Sequence, residues 1–285
     1  MLRQLKMHNT ANLRKGQIAK KLHYILFSAS TMCFIGHGVF GIITKPIWAN
    51  YFGVFNIGRA TAFTLMPWIG VIDILLGISL LLYPTRAILL WLVVWGTLTA
   101  LLRPLSGEPF AEFLERAGNY GVPLVLLLIH QMANKKPGHW FNRLKPVVLI
   151  NEPLRIKITA MLQIIVILFF VGHGWLNIIE KKGLLNQYKI LGFSNQVAVA
   201  HLVGVFEILA AVIVMIRPSV TVVMLLLIWK ITTEMLYPQM VALEWIERGG
   251  SYGSLLALWV ILTHKSSLIY NTSTTMSVKY LGRYQ

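Results

Sequence analysis

The chain has one cysteine, Cys33. A lone thiol excludes an internal disulfide and any Cys-x-x-Cys redox or zinc site within the chain. Acidic residues are also scarce, with 10 Asp and Glu against 26 Lys and Arg, and charged residues of all kinds make up only 13% of the sequence. No glycine loop of the kind that cradles phosphate follows a strand, and there is no serine elbow and no His-Glu-x-x-His, so the common soluble catalytic signatures are missing. A two-metal carboxylate site would want Glu-x-x-His, which does not occur, and no metal site is assigned. What the chain has in excess is apolar: 56% of its 285 residues, gathered into runs too long for core elements of a soluble fold. An integral membrane protein follows, with the bilayer as its first partner. The formal charge of +16 does not mark a nucleic-acid binder, because the basic residues flank apolar blocks.

At 1.5 Å per residue, about 20 apolar residues cross a hydrocarbon core of roughly 30 Å. Eight segments are expected to span it, near 24–44, 61–83, 86–103, 113–133, 158–179, 196–216, 219–237 and 246–264. In lipid such runs must be helices, which makes the fold class an all-α membrane protein. The second four repeat the first. "GVIDILLGISLLLYP" (70–84) aligns without a gap on "GVFEILAAVIVMIRP" (204–218), and Trp95, Thr99 and Pro104 fall on Trp229, Thr233 and Pro238. "EFLERAGNYG" (112–121) matches "EWIERGGSYG" (244–253), and "FIGHGVF" (34–40) matches "FVGHGWL" (170–176). Because polar residues, glycines and prolines match in order, the reading is an internal duplication into two four-helix transmembrane bundles. Four spans per unit make it a parallel repeat.

The expected organisation is therefore a cytoplasmic N-terminal segment 1–23, a first repeat 24–133, a basic linker 134–157, a second repeat 158–264 and a C-terminal tail 265–285. The three basic segments and the turns at Arg86 and Arg217 hold 17 of the 26 Lys and Arg, which places both termini in the cytoplasm. Arg3, Lys6, Arg14, Lys15 and Lys20 precede the first apolar run and no small-residue cleavage signal follows it, so no removable signal peptide is expected.

Ionisable groups within a bilayer cost at least about 2.5–3.5 kcal/mol each, so they normally face the interior, pair, or mark a site. They occur here at matching places in both halves: His37 and His173 on the first helix, and Asp73 and Glu207 on the second. Glu112, Glu115 and Arg116, with Glu244, Glu247 and Arg248, open the fourth. Glu112 and Arg116 are four apart on one face and can pair, leaving Glu115 beside them; this is either a staple or part of a proton path. The histidines are read either as hydrogen-bond donors to a quinone carbonyl and carriers of protons, or as imidazoles held by Asp73 and Glu207 for cohesion alone. A haem b held by both would need His37 and His173 to face one another. Lys230, Glu234 and His201 break the symmetry, which makes the second half the expected home of a single site. Trp91, Trp95 and Trp229 are expected as packing or interface residues rather than a stacking platform.

"AHLVGVFEILAAVIVMIRPSVTVVMLLLIW" (200–229), with "FFVGHGWLNIIEK" (169–181) before it, resembles the central signature of the DoxX-like family of four-helix membrane proteins, with Lys45 and Lys181 at the outer end of the first helix. The likeness covers about 24–104 and 160–238, once per half. It implies a bacterial inner-membrane subunit touching quinone and acting with other protein subunits of a redox or electron-transfer assembly. The alternative is a non-enzymatic transporter or a structural or lipid-binding subunit.

Overall fold

A computed structural model describes residues 2–133, 140–146, 150–236 and 241–263. All regular structure among them is helical: α1 (Leu2–Ile42), a short 3₁₀ turn (Pro46–Trp48), α2 (Ala49–Gly53), α3 (Arg59–Leu82), α4 (Arg86–Leu105), α5 (Ala111–Glu115), α6 (Ala117–Ala133), α7 (Glu152–Ile178), α8 (Lys182–Ile190), α9 (Gln196–Ile216), α10 (Val220–Met235), α11 (Val241–Glu247) and α12 (Gly249–Thr263). Side-chain oxygens cap four of them: Thr85 accepts from the Ile88 amide, Asn151 from Leu154, Asn195 from Ala198 and Ser219 from Val222. Each satisfies an amide that the first helical turn leaves without a partner.

Among the described residues, five helices are long and apolar enough to cross a membrane: Gly16–Ile42, Arg59–Leu82, Arg86–Leu105, Glu152–Ile178 and Gln196–Ile216. Their outward faces are apolar too, with Trp68 69% and Leu202 72% exposed and Leu75, Leu82, Leu209 and Ile216 beside them. An apolar surface of that extent fits lipid rather than water.

The other three expected spans differ from the sequence reading. The fourth helix of each half is broken at its arginine, between α5 and α6 at Arg116 and between α11 and α12 at Arg248. There the Asn119 amide bonds the Arg116 carbonyl at 2.9 Å and the Ser251 amide bonds the Arg248 carbonyl at 2.9 Å, three residues back, a tightened turn that ends one helix and starts another. Helix α10 is 16 residues long, and its last turns carry Lys230 and Glu234. At the other end of the chain, α1 begins well before residue 24, and Ala19 and Leu22 already lie in the core. The stretch 140–146 is irregular and leans on the α3–α4 turn, the Ala87 amide bonding the Trp140 carbonyl and the Leu144 amide the Pro84 carbonyl. Residues 134–139, 147–149 and the tail 265–285 lie outside the described residues.

The halves 24–133 and 158–264 do not keep separate cores. One buried cluster joins Leu26 and Phe34 of α1, Val125 of α6, Phe169 and Phe170 of α7, and Leu258 of α12. The His-Gly motif explains the geometry. A Cβ on Gly38 would lie 2.5 Å from the Gly70 carbonyl, so α1 and α3 touch backbone to backbone, and one on Gly174 would lie 2.8 Å from the Gly204 carbonyl, between α7 and α9. The glycine preceding each histidine faces the other half. A Cβ on Gly36 would sit 2.5 Å from the Glu247 amide nitrogen, and one on Gly172 would sit 2.3 Å from that of Glu115. Gly118 and Gly250 meet where α6 and α12 cross, at 2.6 Å on the same measure. Small residues permit such close crossings where no hydrophobic force drives helices together.

Candidate functional site

The α1–α3 crossing sets the His37 imidazole against Asp73, the single aspartate of the chain, which is 1% exposed. His37 Nδ1 and Asp73 Oδ2 share a hydrogen bond at 2.8 Å. With Nδ1 as the donor, Nε2 is left as the basic nitrogen, the arrangement by which a carboxylate orients an imidazole for proton transfer. On its other side the ring stacks on Trp48, with centroids 4.4 Å apart and planes at 28°.

Beside this pair lies a cavity of about 280 Å³, walled by α1, the 46–57 segment, α3 and α4. His37, Trp48, Asp73, Trp95, Thr99 and Arg103 lie on it among apolar side chains such as Phe52, Met66 and Leu98. Three buried polar atoms on these residues have no partner: Asp73 Oδ1, Trp48 Nε1 and Trp95 Nε1. A buried polar atom without a hydrogen bond costs about 1–3 kcal/mol. All three belong to residues that line one void, which places an unmet acceptor and two unmet donors in its wall.

The matching positions in the second half are arranged differently. His173 Nδ1 and Glu207 Oε2 share a hydrogen bond at 2.5 Å, and Trp229 Nε1 donates to Glu207 Oε1 at 3.1 Å, so both oxygens of the Glu207 carboxyl have a partner. The Tyr188 hydroxyl donates to Asn177 Oδ1 at 2.6 Å, and Asn177 Nδ2 donates to the His173 carbonyl at 3.0 Å. Leu184 stands where the first half has Trp48, counting from the lysines Lys45 and Lys181. Lys230 Nζ pairs with Glu234 Oε1 at 2.6 Å, and Glu234 Oε2 lies 2.9 Å from Arg248 Nε; His201, exposed, pairs with Glu180 at 3.2 Å. The sequence reading takes the greater polarity of the second half as the mark of a single site there. Lys230, Glu234 and His201 each have a partner, while beside the matching histidine–acid pair it is the first half that carries the unpartnered Asp73 Oδ1 and Trp95 Nε1 and the cavity their residues line.

At the same end of the helices, the predicted Glu and Arg clusters come together across the two halves. Arg116 Nη1 donates to Glu112 Oε2 at 2.8 Å, as the spacing predicts, and also to Glu115 Oε2 at 2.6 Å. Glu115 is not the leftover acid of the sequence reading, because Arg248 Nη1 of the other half donates to its Oε1 at 2.8 Å. Lys45 reaches over to Glu244 at 3.0 Å, and Lys181 reaches back to Glu112. Arg103 Nη1 adds a contact to Glu112 at 3.2 Å. Burial works to raise the Glu112 carboxyl, but the Arg116 guanidinium, with Lys181 and Arg103, outweighs it and holds the group below the usual carboxylate range. Glu247 is buried next to Gly36. A second cavity of about 310 Å³ lies among these charges, with Glu115, Glu244 and Arg248 on its wall; Arg103 and Arg116 line both cavities.

Some residues of the site were not predicted. Trp48 and Tyr51 come from the segment between the first two spans; the Tyr51 hydroxyl donates to Glu108 at 2.6 Å, and burial pushes its phenol up despite the nearby Arg103. Trp95, expected as packing, lines the void. At the opposite end, His23 and His130 stack edge to face at 5.4 Å, both buried. No family model, curated protein or solved structure matches this chain.

Proposed function

We propose that the protein is the membrane subunit of a redox or electron-transfer assembly and that its cavity takes the head group of a quinone or a similar lipid-like ring. The reading includes two parallel four-span repeats, termini on the cytoplasmic side of a bacterial inner membrane, and the DoxX-like likeness of 24–104 and 160–238. The observation that carries it is the coincidence of one void with Asp73 Oδ1, Trp48 Nε1 and Trp95 Nε1, all buried and unpartnered, beside an oriented His37–Asp73 pair.

About 280 Å³ is at the lower end of small-molecule sites, roughly 300–1,000 Å³, so it suits one substituted ring rather than a whole prenylated quinone. Leu65 and Phe55 line the cavity and are also exposed, which gives an isoprenoid tail a way out along the apolar face of α3 into the bilayer. A quinol that is oxidised to the quinone releases two protons and two electrons. His37 Nε2 is placed to accept a proton, and the shared wall at Arg103 and Arg116 leads to the charged cavity, where Glu115 and Glu244 offer carboxyl steps toward the outer face. The electrons require a partner subunit bearing haem, an iron–sulfur cluster or a flavin.

A cohesive role is favoured for the second pair alone, because both oxygens of Glu207 are satisfied within the protein. The test is a solvent extract and an absorbance spectrum of protein purified from native membranes. The proposal expects quinone in the extract, and its loss from Asp73→Leu that still folds. A clean spectrum with no extractable quinone would favour the transporter or structural alternative.

A further inference from the structure

We infer that the two halves hold one open and one self-closed version of the same site, set apart by a single methylene, and that the open one selects a hydroxyl-bearing ring, a quinol over its quinone. This rests on the quinone reading above and adds to it the redox form, the stoichiometry and the residue that decides both.

Asp73 and Glu207 occupy the same place in "GVID" and "GVFE", and Trp95 and Trp229 the same place on the next helix. The longer side chain of Glu207 meets both His173 and the indole of Trp229. Asp73 meets His37 with one oxygen, and its other oxygen and the Trp95 N–H are both left over. The remaining space is treated in the same way. Asn177 and Tyr188 bond one another where the first half has Gly41 and Phe52. The groups matching Asp73 and Trp95 are thus satisfied in the second half by its own side chains, and in the first half they are one group short.

What that group must be follows from the inventory. Asp73 Oδ1, on a carboxylate that already accepts from His37, needs a donor; Trp48 Nε1 and Trp95 Nε1 need an acceptor. A phenolic hydroxyl is both at once, donating its O–H to the carboxylate while its oxygen accepts from an indole. A quinone carbonyl accepts only, and leaves Asp73 Oδ1 buried without a partner, a mismatch that sites built around a substrate hydroxyl reject strongly.

The experiment is a titration of the full chain in detergent with decylubiquinol and, separately, decylubiquinone, read by tryptophan quenching, in wild type, Asp73→Glu, Trp95→Phe and Glu207→Asp. Wild type is expected to saturate at one quinol per chain and to bind the quinone at least tenfold more weakly. Asp73→Glu is expected to bind quinol at least tenfold more weakly with an undiminished Tm, since its carboxylate can reach the Trp95 N–H as Glu207 reaches Trp229. Should that variant fold poorly, Trp95→Phe, which removes only the indole N–H, carries the test and is expected to weaken quinol severalfold. Glu207→Asp is expected to leave saturation at one per chain. Equal affinity for the two forms, saturation at two per chain, or undiminished quinol binding by a folded Asp73→Glu or Trp95→Phe overturns the inference while the quinone reading stands. A wild-type chain that binds neither form overturns both.

Discussion

At the scale of single residues, two tryptophans in matching positions differ in whether their indole N–H has a partner. Trp229 Nε1 is committed to Glu207, whereas Trp95 Nε1 has no partner. Removing the first donor leaves a buried carboxylate oxygen unsatisfied, at about 1–3 kcal/mol. Trp229→Phe should therefore lower Tm by several degrees and leave ligand content alone. Trp95→Phe should do the reverse, with Tm of the ligand-free protein nearly unchanged and ligand content reduced. Thermal unfolding beside a quinone extract of each variant distinguishes the two, and the same pattern from both would contradict the assignment. Glu112 gives a pH test. Its folded carboxyl is held below the usual range, so the stability it contributes is present above the unfolded pKa and is lost as pH falls through the lowered folded value. Glu112→Gln should flatten the acid limb of a plot of Tm against pH; an unchanged limb would mean that the pairing with Arg116 contributes nothing.

At the scale of elements, the helices position the site through glycines rather than through matched large side chains. Gly36 and Gly172 each meet backbone of the opposite half, so Ala there must push two helices apart. Gly36→Ala should destabilise by about 1–3 kcal/mol, as overpacking of a tight core does. Gly53→Ala is the control, because a Cβ there meets nothing within 4 Å. Equal unfolding temperatures for the two variants would count against the close crossing. Much of this was legible in the sequence. A His-Gly pair on one helix and an acid at matching depth on the next point to one another whatever the loop between them, and the i, i+4 spacing of Glu112 and Arg116 fixes their pairing from helical geometry alone. Less legible was anything set by how the halves meet. The bonds from Arg248 to Glu115 and from Lys45 to Glu244 span 133 and 199 residues and depend on which helix faces which, and sequence periodicity does not encode that. Trp48 and Tyr51 were missed for a similar reason. A turn with positive φ at Thr44 folds their segment back over the end of α1, and nothing in an apolar run announces that fold.

At the scale of the whole molecule, an apolar exterior surrounds a core shared by both halves and a charged region where they meet. The ion pairs that cross this junction cost less than separate buried charges only while both halves are present, and Glu115 holds arginines from each. Glu115→Gln should accordingly destabilise the entire chain in one cooperative unfolding transition; two separated transitions would show that the halves unfold independently. The same junction places the charged cavity next to the cavity beside His37, with Arg103 and Arg116 on the wall of both. The central claim is that this junction serves one open site per chain. Native mass spectrometry of the protein released from its own membrane tests it most directly. The account predicts a single quinone-class adduct per chain that disappears in Asp73→Glu; two adducts, or an adduct that survives that substitution in the folded protein, would contradict it.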